Sequence, residues 1–171
     1  MPGERRASRE RLALRGALLR LTPPLETIAE DVLGLVSRID LVTRDPDGAV
    51  TAVLVAGAGA DLARLAEGIA QRVWLGLRLP DWNQLAPHLA LQAERGVRLL
   101  LAAPRFDDRT RAAAEALAGP VLLAELLPRG DLDVELRLLG ATVEAPAPPA
   151  PPTPLAPSPR RDSGFRSGLR D

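Results

Sequence analysis

The sequence predicts an α/β domain: a mixed β-sheet with helices on both faces, followed by a proline-rich tail. Three observations predict it. VTAVLVA at 50–56 and VRLLLAA at 97–103 are near-continuous apolar runs of strand length, with a long helical stretch between them. RIDLVT at 38–43 leads into Asp45-Pro46-Asp47-Gly48, a strong turn sequence, so it pairs with the run at 50–56 as a hairpin whose second arm is buried. Eight of the 17 prolines fall between Pro146 and Pro159, which closes the folded part. The 171 residues are enough for one domain with a real core.

Element by element, Ser8 to Leu21 reads as a helix capped by Ser8, with Leu14, Leu18 and Leu21 at helical spacing, stopped by Thr22-Pro23-Pro24. Pro24 to Leu33 reads as a second short helix, with Leu25, Ile28, Ala29 and Val32 on one side. In the strand at 38–43, Ile39, Leu41 and Thr43 face one way and Asp40 and Val42 the other. Asp61 to Leu79 is the clearest helix, capped by Asp61, with Leu62, Leu65, Ala66, Ile69, Val73 and Leu77 as its apolar stripe and Pro80-Asp81-Trp82 as its end. Residues 82–91 are irregular or helical. After the strand at 97–103, Asp107 or Asp108 caps a helix to Ala118, Val121 to Leu127 is a strand, and Leu132 to Leu139 alternates as an edge strand does. The boundaries are therefore a basic amphipathic helix at 1–25, an α/β domain at 26–140, and a tail at 141–171 whose composition predicts disorder.

Composition removes whole classes of chemistry. There is no Cys, so no disulfide scaffold, thiolate metal site or Cys nucleophile, and a reducing, cytoplasmic setting is expected. His88 is the single His, which excludes multi-His metal sites. All 22 basic residues are Arg, so any mechanism that needs a lysine is closed. No apolar run approaches a membrane span, and MPGERRASRE is followed by no apolar stretch of the secretory kind. The zero net charge hides an asymmetry: residues 1–25 carry net +4 and residues 26–140 net −5. An acidic core disfavours phosphate backbones, whereas Arg5, Arg6, Arg9, Arg11 and Arg15 offer weak nucleic-acid contact.

Several motifs carry two readings. Gly57-x-Gly59 between a strand and a helix invites a nucleotide-binding, Rossmann-like reading, but Leu62 stands at the third small position and the strand before it is the second arm of a hairpin. His88 reads as a surface or capping residue, and Trp74 and Trp82 as packing rather than a stacking platform. The arginine-rich helix docks on its own domain or on an anionic partner.

The remaining signal is an order of motifs: RIDL at 38–41, DPDG at 45–48, the helix at 61–79, LPDW at 79–82 and LLLAAPRF at 99–106. In that order, from about Glu26 to Leu139, the chain resembles the PD-(D/E)XK, restriction-endonuclease-like superfamily. The resemblance implies a restriction-endonuclease-like mixed sheet flanked by helices. It also implies a site in which an Asp and a Glu hold divalent metal while a Lys polarises water and the scissile phosphate. Asp40 matches the family Asp, but the Glu-x-Lys positions fall on Leu54 and Ala56.

Asp40, Leu54 and Ala56 are thus read as a vestigial site. No cofactor is expected, and a catalytically degenerate binding or assembly module with a protein partner is the first expectation. The alternative is a divergent nuclease with relocated carboxylates: Glu26 or Glu30 in place of the family's helical Glu, with Asp40, Glu67 and Gln71. In that case Asp40 and Glu67 would hold Mg²⁺ or Mn²⁺. The nucleotide-binding protein using Gly57 and Gly59 is the third.

Overall fold

The computed structural model describes residues 2–140 apart from 118, 131 and 132, with side chains from residue 9 onward. The tail expected over 141–171 lies outside the described residues. Six strands, β1 (Glu26–Leu33), β2 (Arg38–Arg44), β3 (Val50–Val55), β4 (Val97–Ala103), β5 (Val121–Arg129) and β6 (Asp133–Leu139), form one sheet in chain order. β1, β2 and β3 are antiparallel neighbours, β3, β4 and β5 are parallel, and β6 returns antiparallel to β5. Each parallel joint needs a crossover, supplied by α2 (Asp61–Leu85) and α3 (Asp108–Ala116). α1 (Pro2–Leu19) covers the opposite face.

Two apolar layers follow from the strand alternation. Ala52, Leu54, Leu99 and Leu101 point toward α2, where they meet Leu65, Leu75 and Leu79. Val53, Leu100 and Ala102, one residue out of phase, point toward Leu14, Ala17 and Leu18 of α1. With both faces covered, β3 and β4 lose the polar half of their alternation, which is why they read as unbroken apolar runs. Gly68 lets α2 approach the sheet, since a Cβ there would lie 2.8 Å from both Leu99 methyls.

α1 is clamped at both sheet edges. Arg11 pairs with Asp31 and Arg15 with Glu30 on β1, while Arg20 reaches Asp133 and the Val134 carbonyl on β6. The helix starts at Pro2 instead of being capped by Ser8, and ends at Leu19.

Four further expectations are corrected. Of the apolar stripe expected on α2, Leu65 and Ile69 pack on the core, but Leu62, Ala66, Val73 and Leu77 are exposed, and the buried side runs instead through Leu65, Gly68, Gln71, Leu75 and Leu79. Residues 24–33 are not a helix but hold β1, and the cause of the misreading is visible. A β-bulge between Thr27 and Ala29 shifts the register, and Asp31 adopts a left-handed backbone with φ 52°. Each irregularity moves the inward position by one residue, so Ile28, Ala29 and Val32 all reach the α2-side core at spacings that imitate a helix. On β2, Ile39 does not share a face with Leu41: it packs on the α2 side with Val42, while Leu41 faces α1. Finally, α2 runs through Pro80 to Leu85, because Leu79 and Trp82 pack into the core on either side of the proline and hold the chain helical. Asp107 caps α3, its carboxylate accepting from the Thr110 amide at 2.7 Å.

The β1–β2 turn is latched to α2 by Gln71, which is fully buried. Its Oε1 accepts from the Leu35 amide at 2.9 Å, and its Nε2 donates to the Ser37 carbonyl at 2.7 Å. Gly34 makes this possible, because a Cβ there would stand 1.8 Å from Oε1. Gly34→Ala is therefore expected to lower the unfolding free energy by about 1–3 kcal/mol, the cost of leaving buried polar groups unpaired. In a Gln71→Ala background the same substitution should cost less, since the clashing amide is gone. Urea unfolding of the four chains measures the coupling. Equal losses in both backgrounds would mean that the amide is not what constrains position 34.

Candidate functional site

The candidate site lies at the carboxyl end of β3, where Asp40 of β2 comes alongside. The β2–β3 pairing runs only as far as Leu41 opposite Val53. Beyond it the Asp40 side chain replaces the ladder, its Oδ2 accepting from the Val55 amide at 2.8 Å. The same oxygen accepts from Arg64 Nη2 at 2.8 Å. Arg64 Nη1 donates to Glu67 Oε2 at 2.7 Å and to Ser37 Oγ at 3.2 Å, and Nη2 also reaches the Arg38 carbonyl at 3.1 Å. One guanidinium from the first turns of α2 thus sits between two carboxylates, with its side chain only 18% exposed.

The electrostatics of this group are self-consistent. The hydrogen bond from Arg64 holds the Glu67 carboxyl below its ordinary value, with a further contribution from the Ser37 hydroxyl. Burial of Arg64 opposes its charge, but hydrogen bonds and Coulomb attraction from Glu67 and Asp40 outweigh burial and raise its pKa.

Beneath this group the floor is apolar. Leu54 is fully buried, opposite Leu101 in the β3–β4 register, and Ala56 is buried with its amide bonded to the Ala102 carbonyl at 2.8 Å. Glu30 is not brought to the site: it lies opposite Leu41, on the α1 face, and pairs with Arg15 at 2.8 Å. Glu26 pairs with Arg44 at the β1 end. Gln71 is one turn along α2 from Glu67 but is consumed by the hairpin latch. The structure therefore joins Asp40 with Glu67 and separates both from Glu30.

A divalent ion does not fit this donor set. Two carboxylates are present, and both are neutralised by a guanidinium that an ion would have to displace. Among the described residues no group of three or more His, Cys, Asp or Glu side chains is placed to hold a metal.

The glycine loop after β3 has half of what a nucleotide site needs. β3 is parallel to β4, and the loop at Gly57 and Gly59 is open above. At the start of α2, however, the carboxylate of Asp61 is buried and accepts from the Asp107 amide at 3.0 Å. That amide is the largest cause of its lowered pKa, with Thr110 and the amides of Asp61 and Leu62 adding to it against the cost of burial. A fixed negative charge thus stands where a pyrophosphate would bind.

The other sequence candidates are placed as follows. His88 is exposed in a single 3₁₀ turn, and Trp74 and Trp82 are half-buried against the α2-side core. Of the N-terminal arginines, Arg11 and Arg15 are paired with Asp31 and Glu30, Arg9 is exposed, and the side chains of Arg5 and Arg6 lie outside the described residues. No described helix is long and apolar enough to cross a membrane. Arg64, which organises the site, was missed in the sequence; its signal was the Arg-x-x-Glu spacing to Glu67, a common surface pair.

No family model matches the chain, and no curated protein matches it. Among solved structures it is similar to a repair endonuclease from Pyrococcus abyssi, at 16% identity and a TM-score of 0.43, over 61% of this chain and 39% of that one. It is also similar to EndoMS in a complex with dsDNA, at 13% identity and a TM-score of 0.43, over 71% of this chain and 45% of that one. The chain thus spans less than half the length of either.

Two outcomes follow from the site. Leu54→Glu is expected to destabilise the fold by about 3–5 kcal/mol, because it buries a carboxylate among leucines with no partner. A variant with the parent's denaturation midpoint would show the position to be polar and accessible. Asp61→Asn is expected to cost about 1–3 kcal/mol at neutral pH. The folded pKa of Asp61 is lowered, so its contribution is present above about pH 5 and fades as pH falls through the lowered value. Parent and variant stabilities should therefore converge in acid. A gap that stayed constant down to about pH 2 would assign the loss to packing rather than charge.

Proposed function

We propose that the chain is a catalytically degenerate nuclease-like domain that serves as a binding or assembly module. One observation carries the reading: Arg64 occupies the space between Asp40 and Glu67, over a floor of Leu54 and Ala56. The resemblance to the restriction-endonuclease-like superfamily assigns the Glu-x-Lys pair to those two floor positions, and the chain holds no lysine to stand in. A guanidinium neutralises the carboxylates as a metal ion would, yet it cannot carry a water ligand or lower that water's pKa, which is the work the metal performs in phosphodiester hydrolysis. An arginine fixed by four acceptors favours a rigid, inert core of the site over turnover.

Nucleic-acid contact remains a weaker element of this reading. Of the described N-terminal arginines, Arg9 is exposed and has no ion-pair partner, while Arg11, Arg15 and Arg20 fasten α1 to acidic residues at the two edges of the sheet. Attraction of the exposed Arg9 to a phosphate backbone would be weak and would fall with salt.

The test is cleavage. The purified chain is expected to cut neither single- nor double-stranded DNA or RNA in Mg²⁺ or Mn²⁺, since the loss of a metal carboxylate and the lysine removes the main electrostatic terms. Asp40→Ala is the control. Metal-dependent cutting by the parent that disappears in Asp40→Ala would overturn the proposal and establish the relocated-carboxylate nuclease. Cutting that persists in Asp40→Ala would point to a contaminant.

A further inference from the structure

The two edges of the sheet are unlike. β1 carries a bulge between Thr27 and Ala29 and a left-handed Asp31, which disrupt the ladder that a further strand would need. β6 is a regular strand, paired with β5 from Asp133 to Leu139 without a register shift. Its outer side can be assigned residue by residue. Val134 stands opposite Pro128, which has no amide hydrogen to exchange, so the Val134 groups point away from β5. Side chains meet them there. The Val134 amide donates to Asp133 Oδ1 at 2.9 Å, and its carbonyl accepts from Arg20 Nη2 at 2.6 Å. Arg20 and Asp133 are themselves joined at 2.8 Å. By the alternation of an antiparallel ladder, the amides and carbonyls of Leu136 and Leu138 point the same way as those of Val134.

This strand is complementary to itself. In Val134-Glu135-Leu136-Arg137-Leu138 the two charges are opposite and equally spaced about Leu136. An antiparallel second copy, related by a two-fold at Leu136, sets Leu136 against its own mate and Val134 against Leu138. Glu135 of one copy then faces Arg137 of the other, in the closely spaced pairs where side chains of adjacent strands touch. The outward backbone groups fall into register too, since 134 meets 138 and 136 meets 136. An axis at residue 135 or 137 would set Glu135 or Arg137 against its own copy, so the charges select one register. Within the chain Glu135 pairs with Arg129 and Arg137 with Glu125, but the side chains of Glu135 and Arg137 stay 46% and 60% exposed and can take a second partner.

In this pairing Leu138 of the mate needs the two Val134 groups that Asp133 and Arg20 hold. Guard and mate compete for the same backbone. We propose that the Arg20–Asp133 pair is a guard on the β6 edge that keeps the chain monomeric, and that its opening lets β6 pair with β6 of a second copy. Both partners of the guard are about half exposed, and such a pair contributes little by itself, so it opens at small cost. The inference is separate from the cleavage test, because β4 and β5 lie between this edge and the Asp40 site on β2 and β3.

The experiment uses the full-length chain. Sedimentation and light scattering over a concentration series should find the parent monomeric where Arg20→Ala is a reversible dimer, with association stronger by about tenfold or more, as the release of backbone groups at both ends implies. Asp133→Ala opens the guard from the other side and should do the same, and far-UV circular dichroism checks that both variants keep the fold. In the Arg20→Ala chain, hydrogen exchange at the Leu136 and Leu138 amides should slow as the dimer forms. Glu135→Arg in that chain sets Arg against Arg137 and should abolish the dimer. A parent that dimerises as strongly as Arg20→Ala would overturn the guard. Folded variants that both stay monomeric at every concentration would overturn the pairing. So would a dimer that leaves the Leu136 and Leu138 amides exchanging as in the monomer, or one indifferent to Glu135→Arg.

Discussion

Arg64 is the point on which the functional end of the molecule depends. Its guanidinium gathers the Asp40 carboxylate, the Glu67 carboxylate, the Ser37 hydroxyl and the Arg38 carbonyl, while Asp40 in turn holds the Val55 amide. Three elements meet there: the start of β2, the end of β3 and the first turns of α2. β2 and β3 separate after Leu41, and without the Asp40 side chain the Val55 amide would lose this partner. Because the guanidinium is mostly enclosed, its attraction to the two acids is less screened than on an open surface, and its own desolvation is offset by four acceptors. The arrangement pairs both carboxylates of the site with one guanidinium.

Two turns further along α2, Gln71 extends the same principle with neutral groups. It saturates the backbone of the hairpin turn, at a place where Gly34 leaves room for an amide. The two residues fix the β1–β2 ribbon against α2 and set the angle at which Leu35 and Val36 project. On α2, Gln71, Arg72 and Asn83 turn to backbone groups, while Leu62, Val73, Leu77 and Leu85 are exposed.

The opposite face obeys a different balance. α1 contributes few buried side chains, chiefly Leu14, Ala17 and Leu18, so ion pairs at its two flanks position it across the sheet. The flanking charges are largely exposed, and exposed pairs contribute little each, so burial of the leucines holds the helix and the arginines orient it. Part of the positive charge of residues 1–25 is thus matched to Glu30, Asp31 and Asp133 at the sheet edges.

What the sequence determined by itself were features that depend on neighbours in the chain. The apolar runs at 50–56 and 97–103, the DPDG turn and a cap for α3 at Asp107 or Asp108 are all local, and each was legible as such. Tertiary structure alone decided the rest. β1 looked helical because a bulge and a left-handed Asp31 changed the phase of its inward positions, and only pairing with β2 selects such irregularities. Pro80 looked like a stop because the cost of a proline in a helix is local, whereas the packing of Leu79 and Trp82 that outweighs it is not. Glu30 and Asp40 looked like partners, but the sheet stands between them, and which face a strand residue occupies is fixed by register rather than composition. Arg64 reached Asp40 for the same reason: a side chain 24 residues away meets it only when the crossover helix folds back over the sheet.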